Sequence, residues 1–272
     1  MPDTVGRNLL VSAGESSRVA ARRAFYLDDA AAETASEILG RLSDGEETVD
    51  CLARCRIPEG LTTQELAHFA LCLGRHLALP IARVLPLHSG GMRITYVRQG
   101  LGDAAYTALT SRLPSPTVRY SNTTAEAIDS VASGSFDFCI LPYADGEGSI
   151  VRSVRRLREQ AGLRVVSLAA IERPETTPLT YALVCRDFLM PSGERQLLEL
   201  RLPSLSGDVP ARLLALVQGC AGELLALESE GTAGRLRASV SVTRGNLIPF
   251  LTAYMTLIPS GEIDTLVRYL AK

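Results

Sequence analysis

From residue 197 onward the apolar pattern alternates repeatedly between a strand period and a helix period, and that succession leaves few folds open. Residues 197–202 read as a strand stopped by Pro203, and Asp208 opens a helix that runs to about Cys220. Residues 224–228 and 236–243 read as two strands joined by Gly231-Thr232-Ala233-Gly234. A helix over 246–257 and a strand over 265–270 complete the order β-α-β-β-α-β, the ferredoxin-like arrangement.

The same order is expected earlier in the chain. Residues 49–57 read as a strand ending at Pro58, and Thr62 or Thr63 caps a helix with Glu65 in its first turn. Leu66, Phe69, Leu73 and Leu77 form one stripe of that helix. Strands over 80–87 and 92–97, joined through Ser89-Gly90-Gly91, a helix over 102–113 and a strand over 117–120 follow. The two sections align without a gap: Pro58 with Pro203, Ala70 with Ala215, Gly74 with Gly219, Val97 with Val242, Gly100 with Gly245. An internal duplication explains the match, and so does shared Ala and Leu composition in two helices. Ahead of both lies an Ala-rich helix over 16–43, ended by Asp44-Gly45, with a short strand over 8–12 before it.

Residues 122–190 alternate helix and strand and predict an α/β layer with parallel pairing. Thr123 or Thr124 caps a helix ended by Gly134, and 136–142 is an apolar run with the character of a buried strand. Residues 145–149 turn into a helix over 150–161, and strands follow over 163–171 and 179–186.

Composition narrows the function classes. A net charge of −2 and a pI of about 6.0 give no basic stripe for nucleic acid. No apolar run approaches the ~18 residues of a membrane span, and residues 1–13 lack the charged start and apolar stretch of a secretory signal. The six cysteines are dispersed, and the expectation is reduced thiols in a cytoplasmic protein. No motif calls for a cofactor, and none is expected.

Several segments together resemble the prephenate dehydratase family. Thr124-Ala125-Glu126-Ala127-Ile128 leads into Gly134-Ser135-Phe136-Asp137 and on to Pro142, similar to the family's G-x-x-D-x-x-x-x-P. Asp145 and Glu147-Gly148-Ser149-Ile150 resemble its polar turn and E-G-S-V. Ile94-Thr95-Tyr96-Val97 with Gly100 and Gly102 resembles its opening strand and glycine turn. Thr176-Thr177-Pro178-Leu179 stands where the family has Thr-Arg-Phe. Gly207-Asp208-Val209 and Glu228-Ser229 resemble the ligand turn and the Glu-Ser pair of its C-terminal ACT domain.

The resemblance implies one periplasmic-binding-protein-like α/β lobe with ferredoxin-like, ACT-type βαββαβ modules. The expected division is a helical arm over 1–46, a βαβ segment over 47–92 that extends in ACT-like form to 121, a lobe over 93–190 and an ACT-like regulatory domain over 195–272. It implies a lyase acting on prephenate, with Thr177, Ser149 and Glu147 in catalysis and Gly100, Gly148 and Arg152 binding substrate. Gly207, Asp208, Val209 and Glu228 then hold an amino-acid effector, and ACT modules that pair side by side imply a homodimer or higher oligomer. Pro178 replaces the family's catalytic Arg, and there is room for one lobe where the family has two. The alternative is an ACT-type sensor or scaffold without catalysis.

Two further groups carry chemistry or none. Arg152, Arg155, Arg156 and Arg158 either steer an anion or form a solvated face opposite Val151, Val154 and Leu157. His68, Cys72 and His76 lie along one helix face at a spacing that suits zinc, but no partner at a suitable spacing completes a site, and no metal is expected.

Overall fold

The computed structural model describes residues 3–85, 91–111, 113, 116–144, 151–173, 176–189, 194–203, 208–230 and 235–269; for 3–16, 173, 176–177, 230, 235 and 264–269 it describes the backbone alone. The chain forms two compact units, each assembled from separated segments. One comprises 1–84, 202–223 and 245–261, the other 85–201, 224–244 and 262–272.

The first unit is helical. It holds α1 (Asp3–Ser43), α2 (Thr48–Ala53), α3 (Thr63–Leu77), α4 (Ile81–Val84), α8 (Val209–Gly219) and α9 (Leu247–Leu257). α3 is its axis, packed by α1, α8 and α9. Gly74 lets α9 approach, since a Cβ there would lie 2.7 Å from the Cα of Pro249. The α3 start is a complete capping box: the Thr62 hydroxyl accepts from Glu65 N–H, and the Glu65 carboxylate accepts from Thr62 N–H at 2.9 Å.

Three strand expectations fail in this unit. Residues 8–12 continue α1, 49–57 contain α2, and 80–87 contain α4. In α2 the buried side chains are adjacent, Cys51 and Leu52, a helical burial pattern and not strand alternation. A ferredoxin-like order over 48–121 is therefore not formed. The aligned prolines differ in setting, Pro58 lying between two helices and Pro203 after a strand, whereas Gly100 and Gly245 each lie between a strand and a helix.

The second unit carries a nine-stranded sheet of order β2-β1-β3-β5-β4-β9-β6-β8-β7. Its strands are β1 (Arg93–Val97), β2 (Thr117–Ser121), β3 (Phe138–Ala144), β4 (Arg164–Arg173), β5 (Thr176–Cys185), β6 (Arg195–Leu202), β7 (Glu223–Glu230), β8 (Arg235–Thr243) and β9 (Glu262–Tyr269). The helices are α5 (Gly102–Thr110), α6 (Thr124–Ala132) and α7 (Arg152–Gln160). β2, β1 and β3 run parallel, and β5 inserts antiparallel between β3 and β4. This is a periplasmic-binding-protein-like lobe, and the expected parallel pairing holds for only part of it. The remaining order, β9-β6-β8-β7, is ferredoxin-like, and β4 joins the two by pairing parallel with β9.

Two apolar clusters fill the faces of the lobe. One gathers Ile128, Val131, Cys139, Leu141, Val165 and Val184, the other Ile94, Tyr96, Leu109, Phe138, Ile140 and Leu183. Phe138, Ile140 against Cys139, Leu141 alternate between them, so β3 is buried on both faces. The sequence pattern Gly134…Asp137…Pro142 is explained here. Gly134 ends α6 at φ +80°. Asp137, buried, accepts from the Arg93 backbone N–H and from Arg93 Nε and Nη2, each at 2.9 Å, and so fixes the start of β3 against the start of β1. Pro142 sits where the β3–β5 register shifts.

Candidate functional site

In open α/β sheets ligands bind outside the carboxyl ends of the strands, where the strand order reverses. Here the chain crosses from β1 to β2 on one side and from β2 to β3 on the other, which places that point at the carboxyl ends of β1 and β3. β1 leads there into the turn that carries Gly100 and Gly102. Gly100 has φ +69°, and a Cβ on Gly102 would lie 2.1 Å from the Val97 carbonyl oxygen. The turn is therefore closed to any other residue at 102, and α5 starts directly above the strand end.

The side chains around that turn form one connected group. The Tyr96 hydroxyl donates to Asp103 Oδ1 at 2.7 Å, and Arg98 Nε donates to Asp103 Oδ2 at 3.1 Å. Arg98 lies over the Tyr120 ring, 5.0 Å from its centroid. Tyr96 stacks on Tyr106 at 5.2 Å and meets Tyr120 edge-on at 5.3 Å. Burial, then the Asp103 carboxylate, pushes the Tyr96 phenol up, while the Tyr96 hydroxyl and then Arg98 hold Asp103 below its ordinary value. The outcome is a guanidinium oriented from two sides yet 65% exposed, beside a half-exposed ring. Such a group can take a carboxylate in its free donor positions. Sequence reading missed Arg98, Asp103 and Tyr120. Their signal is positional: Tyr96 and Tyr120 are register partners near the ends of neighbouring parallel strands.

β5 starts at the same end of the lobe. Ala144 of β3 pairs with Thr180, so Thr176 and Thr177 lie beyond the carboxyl end of β3, level with the β4–β5 hairpin. Pro178 lies beyond that end too, where β3 asks for no N–H from it. The expected residues Glu147, Gly148 and Ser149 lie outside the described residues, as does Gly207; for Thr177 the backbone alone is described. Arg152 is exposed at the first position of α7. Thr123 accepts from Glu126 N–H at 3.1 Å and acts as a helix cap.

The arginine run of α7 is not a uniformly solvated face. Arg158 is 2% exposed and donates to the Leu163 carbonyl at 2.8 Å, whereas Leu157 is 39% exposed. Arg155 and Arg201 both reach Glu159. Nearby, buried Glu199 accepts from Tyr143 at 3.2 Å and pairs with buried Arg237 at 3.5 Å. These groups tie α7 and β3 to β6 and β8 through charge, alongside the apolar packing of Leu197.

Of the effector candidates, Asp208 and Val209 belong to the first unit and Glu228 to the second. Asp208 holds the N-cap position of α8, but its carboxylate takes Arg212 Nε at 2.7 Å and does not cap the helix. That pairing lowers its pKa. Val209 follows half-buried, and Glu228 is exposed on the edge strand β7. On α3, Cys72 and His68 lie 3.6 Å apart and His76 pairs with Asp28 at 3.0 Å. Among the described residues no group of three such side chains has an arrangement that holds a metal ion. The cysteines are unbridged thiols, and burial pushes Cys55 and Cys72 up to about 11. No described helix is long and apolar enough to cross a membrane.

No family model matches the chain, and no curated protein matches it. Solved structures resemble it in fold at low identity. A prephenate dehydratase from Streptococcus mutans is 17% identical, matched over 66% of this chain and 100% of its own, with a TM-score of 0.48. One from Arthrobacter aurescens, in complex with L-Phe, is 12% identical over 64% and 89%, with a TM-score of 0.47. A structure described as a novel type of quorum quenching acylase is 19% identical over 67% and 97%, with a TM-score of 0.46. Likeness at this level assigns neither family nor activity.

Proposed function

We propose that this chain is a prephenate dehydratase-like lyase that takes prephenate or a close relative at the carboxyl ends of β1 and β3. The observation that carries the reading is the register: the Gly100 turn, the end of β3 and the Thr176–Thr177 start of β5 meet at one end of the lobe. Loss of carbon dioxide and hydroxide needs donors for two carboxylates and a proton for the leaving hydroxyl. Thr177 supplies that proton, and Ser149 and Glu147 share in catalysis. Gly100, Gly148 and Arg152 hold the substrate, and Arg98 adds the oriented cation. The protein works in the cytoplasm as a homo-oligomer, with Gly207, Asp208, Val209 and Glu228 binding an aromatic amino acid. Purified protein with prephenate at neutral pH tests the reading, with phenylpyruvate and carbon dioxide followed separately. Both products mean a dehydratase, carbon dioxide alone a decarboxylase, and Thr177→Ala abolishes either.

A second reading is an ACT-type amino-acid sensor without turnover. It is favoured by Pro178 at the place of the family's Arg, and by residues 3–84, which form four helices and no second α/β lobe. A folded protein that forms neither product, but whose melting point rises with phenylalanine or tyrosine, establishes it. That rise disappears in the Asp208→Ala, Glu228→Ala double variant.

A further inference from the structure

The outer face of α1 is unexplained by any reading above. Leu27, Ala31, Ala35 and Ile38 are buried on one side of the helix, which packs on α3. At about 100° per residue the opposite line runs through Arg18, Arg22, Phe25, Asp29, Glu33 and Ser36, all exposed. Phe25 is 69% exposed and Tyr26 beside it 55%. The flanking charges are used inside the chain: Arg23 pairs with Glu65 and Asp28 with His76. The outer line therefore offers two arginines, an aromatic centre and two carboxylates, in that order.

That order is self-complementary in one orientation. About a two-fold axis between residues 25 and 26, an antiparallel second α1 sets Arg22 level with Asp29 and Arg18 level with Glu33. Each pair occurs twice, and Phe25 lies against Phe25 of the copy. A parallel copy would set arginine against arginine and carboxylate against carboxylate. We propose that α1 is a homodimer interface, formed by antiparallel pairing with a second copy of this chain through Arg18, Arg22, Phe25, Asp29 and Glu33. The contact is isologous, so it closes at two subunits. It is independent of the lyase and sensor readings, because no residue of the lobe enters it.

Sedimentation of the full chain at about 0.05 M and about 0.5 M salt tests the interface, because screening weakens exposed pairs. A dimer is expected at low salt, with its dissociation constant raised about tenfold at high salt. Arg18→Glu with Arg22→Glu weakens it by at least about tenfold, and adding Asp29→Arg with Glu33→Arg restores it. A Phe25→Cys chain oxidises to a crosslinked dimer in the parent background and not in the Arg18→Glu, Arg22→Glu background. A monomer at both salts, or a dimer indifferent to the two reversals and to salt, overturns the proposal. The salt series on the parent chain stands whether or not any variant folds.

Discussion

The two units use polar groups in opposite ways. In the helical unit the ion pairs lie outside, as Arg23–Glu65 and His76–Asp28 do, over a core of Leu, Ala and Phe. In the sheet unit charged groups are inside: Asp137 under Arg93, Arg158 under α7, Glu199 between Tyr143 and Arg237. A buried carboxylate loses water and must be fully repaid by fixed donors, so its removal leaves those donors stranded. An exposed pair can be replaced by water. The helical unit should therefore respond to backbone and packing changes, and the sheet unit to polar ones.

The sharpest break of that contrast is Asp137→Ala, expected to cost about 3 kcal/mol in denaturant unfolding, because it strips three donors of Arg93 at once. Asp28→Ala, its exposed counterpart, should cost under about 0.5 kcal/mol. Gly74→Ala tests the other half. Its Cβ meets the Pro249 backbone, so α9 must shift, at about 2 kcal/mol and with no change in the lobe. Thr62→Ala removes a cap and should cost about 1 kcal/mol. The last effect has the opposite sign. Ala78 ends α3 with φ +41°, so Ala78→Gly should stabilise by up to about 1 kcal/mol.

Acid sharpens the same contrast. The Thr62 N–H, then Arg23 and the Thr62 hydroxyl, lower Glu65 to about 2. Its folded pKa lies below its ordinary 4.5, so its stabilisation is complete above that value and is lost as pH falls through about 2. A pH series of unfolding midpoints should show a slope across that window, and Glu65→Gln should remove it.

Much of the lobe was legible because its elements are short and bounded. Thr123 and Gly134 bracket α6, and the apolar run from Phe138 to Leu141, bounded by Gly134 and Pro142, is short enough to read as a buried strand. The segments around Val49 and Ile81 misled because a few apolar residues before a proline fit either period. Length and packing decide such cases, and there the neighbours are helices. The site was half legible. Gly100 and Gly102 stand out as a turn, but Arg98, Asp103 and Tyr120 are ordinary residues until parallel pairing brings Tyr96 beside Tyr120.

The sequence alone determined the caps at Thr62 and Thr123 and the order that closes the C-terminal half, since these depend on neighbours within a turn or two of chain. The tertiary structure alone decided that β5 enters antiparallel, that Arg158 faces inward while Leu157 faces out, and that 48–53 and 81–84 are helices. Those outcomes rest on partners far along the chain, and local pattern carries no record of them.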